Sequence, residues 1–298
     1  MQVLVIGSSG FIGKNLLATI DNTTGVSLRP HGWEKQFSFA DIIVNLVGKA
    51  HDHQKVAAEH DYQYANVELT KQIYQEFIQS PAILLIHISS IAALEESESL
   101  VQLKETDTCN PISWYGRSKR EAEEWLLGQV IPEGKMLIIL RPPMVHGPGD
   151  KGNLGLLYKL ISKGIPYPLS SFDNKRSFIS IDNFCYYIER IIENPDKLKS
   201  GIYHIADDEP ISTKEIIAVI KQETKKNVPN LALPKTLVKL IAKVGDVLPM
   251  PLNSKRLKKM TSDLLVSNEK IKKALGIKKL PLTAKEGLEK TIKSFKEG

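Results

Sequence analysis

The chain has 298 residues, 42% hydrophobic and 25% charged, enough for a large buried core in one big domain or one and a half. The N-terminal MQVLVIG runs straight into an apolar strand pattern without a basic leader or a cleavage site, and no apolar run approaches the roughly 18 residues of a membrane span. A soluble cytoplasmic protein with no membrane insertion is expected, and Cys109 and Cys185 lack the spacing of a metal knuckle or a disulfide framework.

The formal charge of +6 is unevenly placed. Residues 251–298 hold 13 Lys/Arg against 5 Asp/Glu, a local excess of eight, which leaves the first 250 residues two charges negative. These lysines alternate with Leu, Ile and Met at helical spacing, the pattern of packed helices with a solvated face. An anionic ligand or surface is the other reading of that excess. Binding of nucleic acid is not expected.

In chain order, QVLVI (2–6), a weaker GVSLR (25–29), DIIVNLV (41–47), AILLIHIS (82–89) and KMLIILR (135–141) read as strands. All but the weaker one are continuous apolar runs, as expected of strands buried on both faces. GFIGKNLLATI, NVELTKQIYQEFIQ and SKREAEEWLLGQ lie between them with helical periodicity. This alternation predicts an α/β fold, a Rossmann-type doubly wound parallel sheet over residues 1–150. Residues 151–298 predict a smaller mixed α/β lobe, partly interleaved with the first. In it GNLGLLYKLISKG reads as a helix, SFISI and IYHIA as short strands, and STKEIIAVIKQETKK as a helix with a capping box from Ser212 and Glu215.

Residues 7–13, GSSGFIG, open the first helix directly after the first strand. In this setting Gly7 permits the turn, Gly10 lets backbone approach a pyrophosphate, and Gly13 lets helix pack on sheet. Phe11 and Ile12 complete the turn, whose amides at the helix N-terminus suit phosphate. An acidic residue for the adenosine ribose belongs at the tip of the second strand, where this chain has Arg29. A guanidinium there suits a 2′-phosphate, which tilts the cofactor from NAD toward NADP; stacking on adenine or pointing into water are the alternatives.

Tyr115 stands four residues before Lys119 at the start of a helix, a spacing that alone does not separate a proton-transfer device from a solvated helix face. Together, GSSGFIG, HISSIAAL and YGRSK resemble the extended short-chain dehydrogenase/reductases, in particular the NAD(P)-dependent nucleotide-sugar epimerases and dehydratases. The block from LRPPMVHGPGD to NKRSFISIDNF is similar to the UDP-glucose 4-epimerase-like branch, which also holds 4-ketoreductases. The resemblance implies Tyr115 and Lys119 as the catalytic pair, with Ser90, 25 positions before Tyr115, favoured over Ser89 as the catalytic serine. It implies Leu46, Val47, Gly48 and Asn66 on the cofactor side, and Asn153 and Arg176 holding the substrate's nucleotide and diphosphate.

Lys49, His51 and His53 follow the third strand and would line the cleft; the family uses no metal, so a site on the His-x-His pair is not expected. Met144 and His146 stand where many relatives carry Asn and Tyr, which removes a hydrogen bond to substrate. Phe178, Ser177 and His146 are candidates for the sugar pocket or simply for core and loop. Only 27 residues separate Gly13 from Asp41, so a strand and a helix are trimmed there.

The activity implied is NAD(P)-dependent oxidoreduction at C4 of a nucleotide sugar, with Tyr115 as acid/base and Lys119 lowering its pKa. A non-catalytic cofactor sensor of the same fold is the alternative. A homodimer through the helix bearing Tyr115 is also implied, with an apolar edge at Trp125, Leu126 and Leu127.

Overall fold

The computed structural model describes residues 1–50, 57–99, 101–150, 152–164, 172–226, 228–229, 233–248 and 253–297, without the side chains at 153, 255, 256, 259, 260 and 297. Its strands are β1 (Val3–Ile6), β2 (Thr23–Val26), β3 (Ile42–Asn45), β4 (Leu84–Ile88), β5 (Met136–Arg141), β6 (Met144–His146), β7 (Phe178–Ser180) and β8 (Gly201–His204). Six of them form one parallel sheet in the order β2-β1-β3-β4-β5-β8, and β6 pairs with β7 separately. The first helices are α1 (Phe11–Thr19), α2 (Glu59–Gln63), α3 (Leu69–Gln79), α4 (Trp114–Leu127), α5 (Asn153–Ser162) and α6 (Ile181–Glu193). Then come α7 (Thr213–Thr224), α8 (Lys235–Val247), α9 (Ser254–Thr261), α10 (Glu269–Leu275) and α11 (Ala284–Glu297).

The period-2 geometry of the strands divides the core. Val3 and Val5 of β1 face Leu16 of α1 and Phe184 and Ile188 of α6, whereas Leu4 and Ile6 face Ile73 and Phe77 of α3 and Leu126 of α4. Burial on both faces explains why these strands read as unbroken apolar runs. A further core joins Ile161 of α5, Ile220 of α7, Val238 of α8 and Ile292 of α11.

Three expectations shift. β2 ends at Val26, because its ladder with β1 runs only from Val3 and Thr23 to Ile6 and Val26, so Arg29 lies beyond the sheet. The run IYHIA supplies β8, which pairs with β5 at the edge of the main sheet instead of building the second lobe. Leu126 is core and Trp125 packs edge-on against Tyr74 at 5.4 Å, leaving Leu127 as the exposed member of the apolar edge. The trimmed stretch is visible: β2 connects to β3 through a 3-10 helix, Trp33–Phe39. The capping box of α7 forms as expected, with Ser212 Oγ accepting from the Glu215 amide at 3.1 Å and Glu215 Oε2 accepting from the Ser212 amide at 2.7 Å.

A single carboxylate joins the cores. Asp207, just past β8, accepts from the Ser180 amide at 3.2 Å and from Asn183 Nδ2 at 2.7 Å, at the entrance of α6. Asn183 also donates to the Leu282 carbonyl at 2.8 Å. Burial pushes the Asp207 carboxyl up to about 7, against the pull of these donors.

The folded state therefore binds this proton more tightly than the unfolded chain does. The stability it contributes is complete below the unfolded value of 3.8 and is lost as pH rises through about 7. His146 and His204, pushed down by burial to about 4 and about 3, act in the opposite sense. The difference between wild type and Asp207→Asn isolates the carboxyl: the variant's thermal midpoint should gain on wild type between about pH 5 and pH 8. A pH-independent difference would refute this.

Candidate active site

The glycine turn is built by steric need at two of its three positions. Gly7 has φ +83, and a Cβ on it would stand 3.1 Å from the Leu46 carbonyl carbon. A Cβ on Gly13 would fall 2.5 Å from Ser8 Cα, so only glycine lets α1 sit this close to the turn. Gly10 would meet only the Gly7 carbonyl, at an ordinary 3.4 Å, so packing within the chain does not demand it. It is the N-cap of α1, and its lack of a side chain leaves the leading amides without a side-chain cap. Phe11 and Ile12 turn inward against the sheet core. An uncapped nine-residue helix behind a glycine that packing does not require fits a dinucleotide pyrophosphate.

Next to this turn lies the end of β3. The Leu46 amide donates to the Ile6 carbonyl at 2.9 Å, and the Val47 amide donates to Asn45 Oδ1 at 2.9 Å. Gly48 abuts two polar groups: a Cβ on it would be 2.8 Å from Asn66 Oδ1 and 2.9 Å from Lys119 Nζ. Asn66 sits in a π-helical turn, Tyr64–Glu68, between α2 and α3. Its Oδ1 accepts from the Lys49 amide at 2.8 Å and its Nδ2 donates to Ser118 Oγ at 2.8 Å, tying the β3 segment to α4. Such turns often mark functional positions. Lys49 itself pairs with Asp61 at 3.5 Å, while His51 and His53 lie outside the described residues.

α4 begins one residue before Tyr115 because Ser113 caps it, accepting from the Gly116 amide at 3.1 Å. Glu96 braces that cap from the loop after β4. Its Oε1 accepts from the Ile112 amide at 3.0 Å, the Ser113 amide at 2.8 Å and Ser113 Oγ at 2.9 Å. A Cβ on Gly116 would stand 2.3 Å from the same oxygen, so glycine is what lets Glu96 in. Tyr115, half-buried, is thereby presented toward Ser90, whose hydroxyl favours the ionised phenol. Ser90 Oγ also accepts from the Ala92 amide at 3.2 Å, whereas Ser89 donates to buried Glu123 at 2.5 Å beneath the helix. This division of labour separates the two serines.

Lys119 is 4% exposed, and its Nζ donates to the Ile88 carbonyl at 2.9 Å. Burial lowers its pKa to about 8 against the pull of Glu123. The charge on Lys119 adds to burial in holding His87, beside Asn45 at 3.1 Å, well below its ordinary value and so neutral. Tyr115 does not carry the lowered pKa expected from its lysine. Burial raises it, the Ser90 hydroxyl opposes the rise, and the Glu96 charge adds to it. The physical reason is direction: Lys119 reaches the Ile88 carbonyl and the Gly48 segment. As placed, the phenol holds its proton at neutral pH.

Other candidates lie apart from this cluster. Arg29 is exposed, three residues beyond β2. Asn153 opens α5, its side chain outside the description. Arg176 bridges Ile211 and Leu264 through its backbone, and its Nη1 donates to the Ser262 carbonyl at 3.1 Å. His146, 2.8 Å from Thr291 Oγ1 and edge-on to Phe178, is core, as are Phe178 and Ser177, whose Oγ accepts from the Val266 amide at 2.9 Å. Sequence reading missed Glu96, Glu123 and Arg141. A signal for Glu123 existed: Tyr115, Lys119 and Glu123 recur every four residues on one helix face.

Against known proteins, the family model described as NAD dependent epimerase/dehydratase matches residues 27–206, beginning after the glycine turn. The UDP-glucose 4-epimerase of Vibrio cholerae is 29% identical, over 99% of this chain and 95% of that protein. The UDP-2-acetamido-2,6-beta-L-arabino-hexul-4-ose reductase of Pseudomonas aeruginosa is 27% identical, over 68% and 52% respectively. In fold the chain is similar to the UDP-glucuronic acid 4-epimerase of Bacillus cereus, solved in complex with NAD. The TM-score is 0.76 at 17% identity, over 100% of this chain and 99% of that one.

The bracing carboxylate gives a direct test. Glu96→Gln removes the negative charge that helps hold the phenol protonated, so the alkaline limb of the pH–rate profile should move to lower pH. An unmoved limb would show that Glu96 does not act on Tyr115.

Proposed function

Because this chain belongs to the NAD dependent epimerase/dehydratase family, we propose that it catalyses oxidoreduction at C4 of a nucleotide-activated sugar. The substrate class is a UDP-hexose or UDP-N-acetylhexosamine, and the role is that of a 4-epimerase or 4-ketoreductase in surface-polysaccharide synthesis. The observation that carries this reading is the meeting of Ser90, Tyr115 and Lys119 beside Gly48 and Asn66. Family proteins similar over most of this chain are named epimerase and reductase, which favours an enzyme over a non-catalytic sensor.

The bound dinucleotide supplies the hydride donor and acceptor. The chain's own task is to place the sugar and move one proton. Tyr115 gives its proton to the C4 oxygen when a ketone is reduced and takes it back when the alcohol is oxidised. Ser90, with its Oγ already accepting an amide, has its own proton to offer that oxygen. Lys119, its Nζ held between the Ile88 carbonyl and Gly48, lies on the cofactor side and would hold the nicotinamide ribose. Asn153 and Arg176 hold the nucleotide diphosphate, for which a guanidinium is the better geometric match.

Two readings of direction follow from two observations. Similarity over 95% of the Vibrio cholerae epimerase favours return of the hydride to the same sugar. Arg29 favours NADP and net reduction, since Ser27 stands directly after β2, where a ribose-binding carboxylate would otherwise be. The two free thiols support a cytoplasmic enzyme. Pairing of two copies through α4 belongs to the same reading, with exposed Leu127 as the member of the expected apolar edge left to make the contact.

Tyr115→Phe should keep cofactor affinity within about twofold and lower kcat by about a hundredfold or more, as removal of a positioned general acid does. Turnover at the wild-type rate would overturn the assignment. Arg29→Glu should weaken NADP and improve NAD in paired titrations, and equal affinities before and after would remove Arg29 from the cofactor site.

A further inference from the structure

The helix α8 turns an apolar stripe outward. Val238, Ala242 and Gly245 are its buried side, packed toward the core of α5, α7 and α11. At 100° per residue, Leu237, Leu240, Val244 and Val247 fall on the side turned away from that core, and Leu248, the C-cap, follows directly after them. All five are exposed, from 42% at Leu237 to 86% at Val247. Scattered apolar residues on a surface need no explanation, but four on one helix face with a fifth at its C-cap form a patch.

Charge identifies what that patch meets. Between the stripe and the core lies a row of exposed lysines, Lys235, Lys239 and Lys243, at one edge of the stripe. The neighbouring α9 is basic in sequence, SKRLKKMT, and its Lys258 pairs with Glu98 at 2.9 Å. Over residues 235–261 the sequence holds seven basic residues and one acid, Asp246, so this stretch accounts for the whole formal excess of +6 and the remainder of the chain is neutral. Asp246 is engaged locally, accepting from the Ser254 amide at 2.9 Å and from Ser254 Oγ at 2.6 Å.

We propose that α8 docks, parallel to the surface, on an anionic phospholipid bilayer, its stripe entering the acyl boundary and its lysines meeting the headgroups. An apolar face flanked by lysines on a helix too polar to span is the composition of an interfacial helix. A second copy of the chain fits the stripe less well. An isologous contact sets each surface against itself, so the lysine row of one α8 would lie beside its own counterpart. Nucleic acid would use the lysines but leave the stripe in water. Docking by α8 brings the second lobe, whose core it shares, against the bilayer.

The test is co-sedimentation of the full chain with vesicles. The chain should sediment with vesicles of equal parts phosphatidylglycerol and phosphatidylcholine, and about tenfold or more weaker with phosphatidylcholine alone. About 0.5 M salt should weaken the anionic binding, as screening requires. Leu240→Glu with Val244→Glu, both at exposed positions, should abolish binding with an unchanged thermal midpoint. Lys239→Glu with Lys243→Glu should weaken it about tenfold or more while leaving the stripe intact. Equal recovery in the supernatant with both lipids, or variants that bind like wild type, would overturn the proposal. A wild-type dimer in sedimentation velocity that the glutamate pair converts to monomer, without vesicle binding, would assign the stripe to a second copy instead.

Discussion

The arrangement rests on a buried ion pair beneath α4. Arg141, at the end of β5, meets Glu123 of α4 twice, Nη2 to Oε2 at 2.6 Å and Nε to Oε1 at 2.8 Å, with both side chains almost fully buried. Ser89 donates to the same carboxylate from the end of β4 at 2.5 Å, and Arg141 also reaches Cys109 Sγ at 3.5 Å. Such a pair need not add net stability over a well-packed apolar substitute, but removing one partner strands the other and costs about 3–5 kcal/mol. Its value lies in direction. It fixes the rotation of α4 over two strand ends, and with that rotation it decides where Lys119, one turn earlier, and Tyr115, two turns earlier, can point.

The same region shows how burial, more than pairing, sets the protonation of the cluster. Lys119 is drawn down, His87 is neutral, and Tyr115 is held up, all in the directions that desolvation dictates. A phenol kept protonated, one turn from a buried lysine that points to the Ile88 carbonyl, is a device set to give a proton rather than to take one. Glu96 and Gly116 belong to this device although neither is a natural candidate for chemistry, because the carboxylate fits only where the helix lacks a side chain.

Much of this was legible in the sequence. Unbroken apolar runs gave the sheet because strands buried on both faces have no polar side to show, and the glycine turn was legible because two of its glycines are sterically obligatory. The spacing of Tyr115 and Lys119 survives because a helix turns every 3.6 residues whatever surrounds it. What was hidden depends on partners distant in sequence. IYHIA could not declare itself an edge strand of the main sheet, Trp125 could not announce Tyr74, and the opposing influence of Glu96 on the phenol needs a contact across about 20 residues of loop. Arg29 was misplaced for a simpler reason: β1 is four residues long, so the ladder with β2 stops before it reaches the arginine.

Arg176 does not stand alone in its loop, since its guanidinium is held by the carbonyl of Ser262, the residue after α9. Where that helix ends therefore decides where the guanidinium can be. If α9 moves with α8 when the latter meets a surface, the arginine moves too, and the two events share one free energy. Under the proposed role of Arg176 in holding the diphosphate, reciprocity then applies: whatever factor the surface applies to the affinity for that anion, the anion applies to the affinity for the surface. A substrate-laden molecule and an empty one would then partition differently between bilayer and water, making attachment a reading of substrate supply.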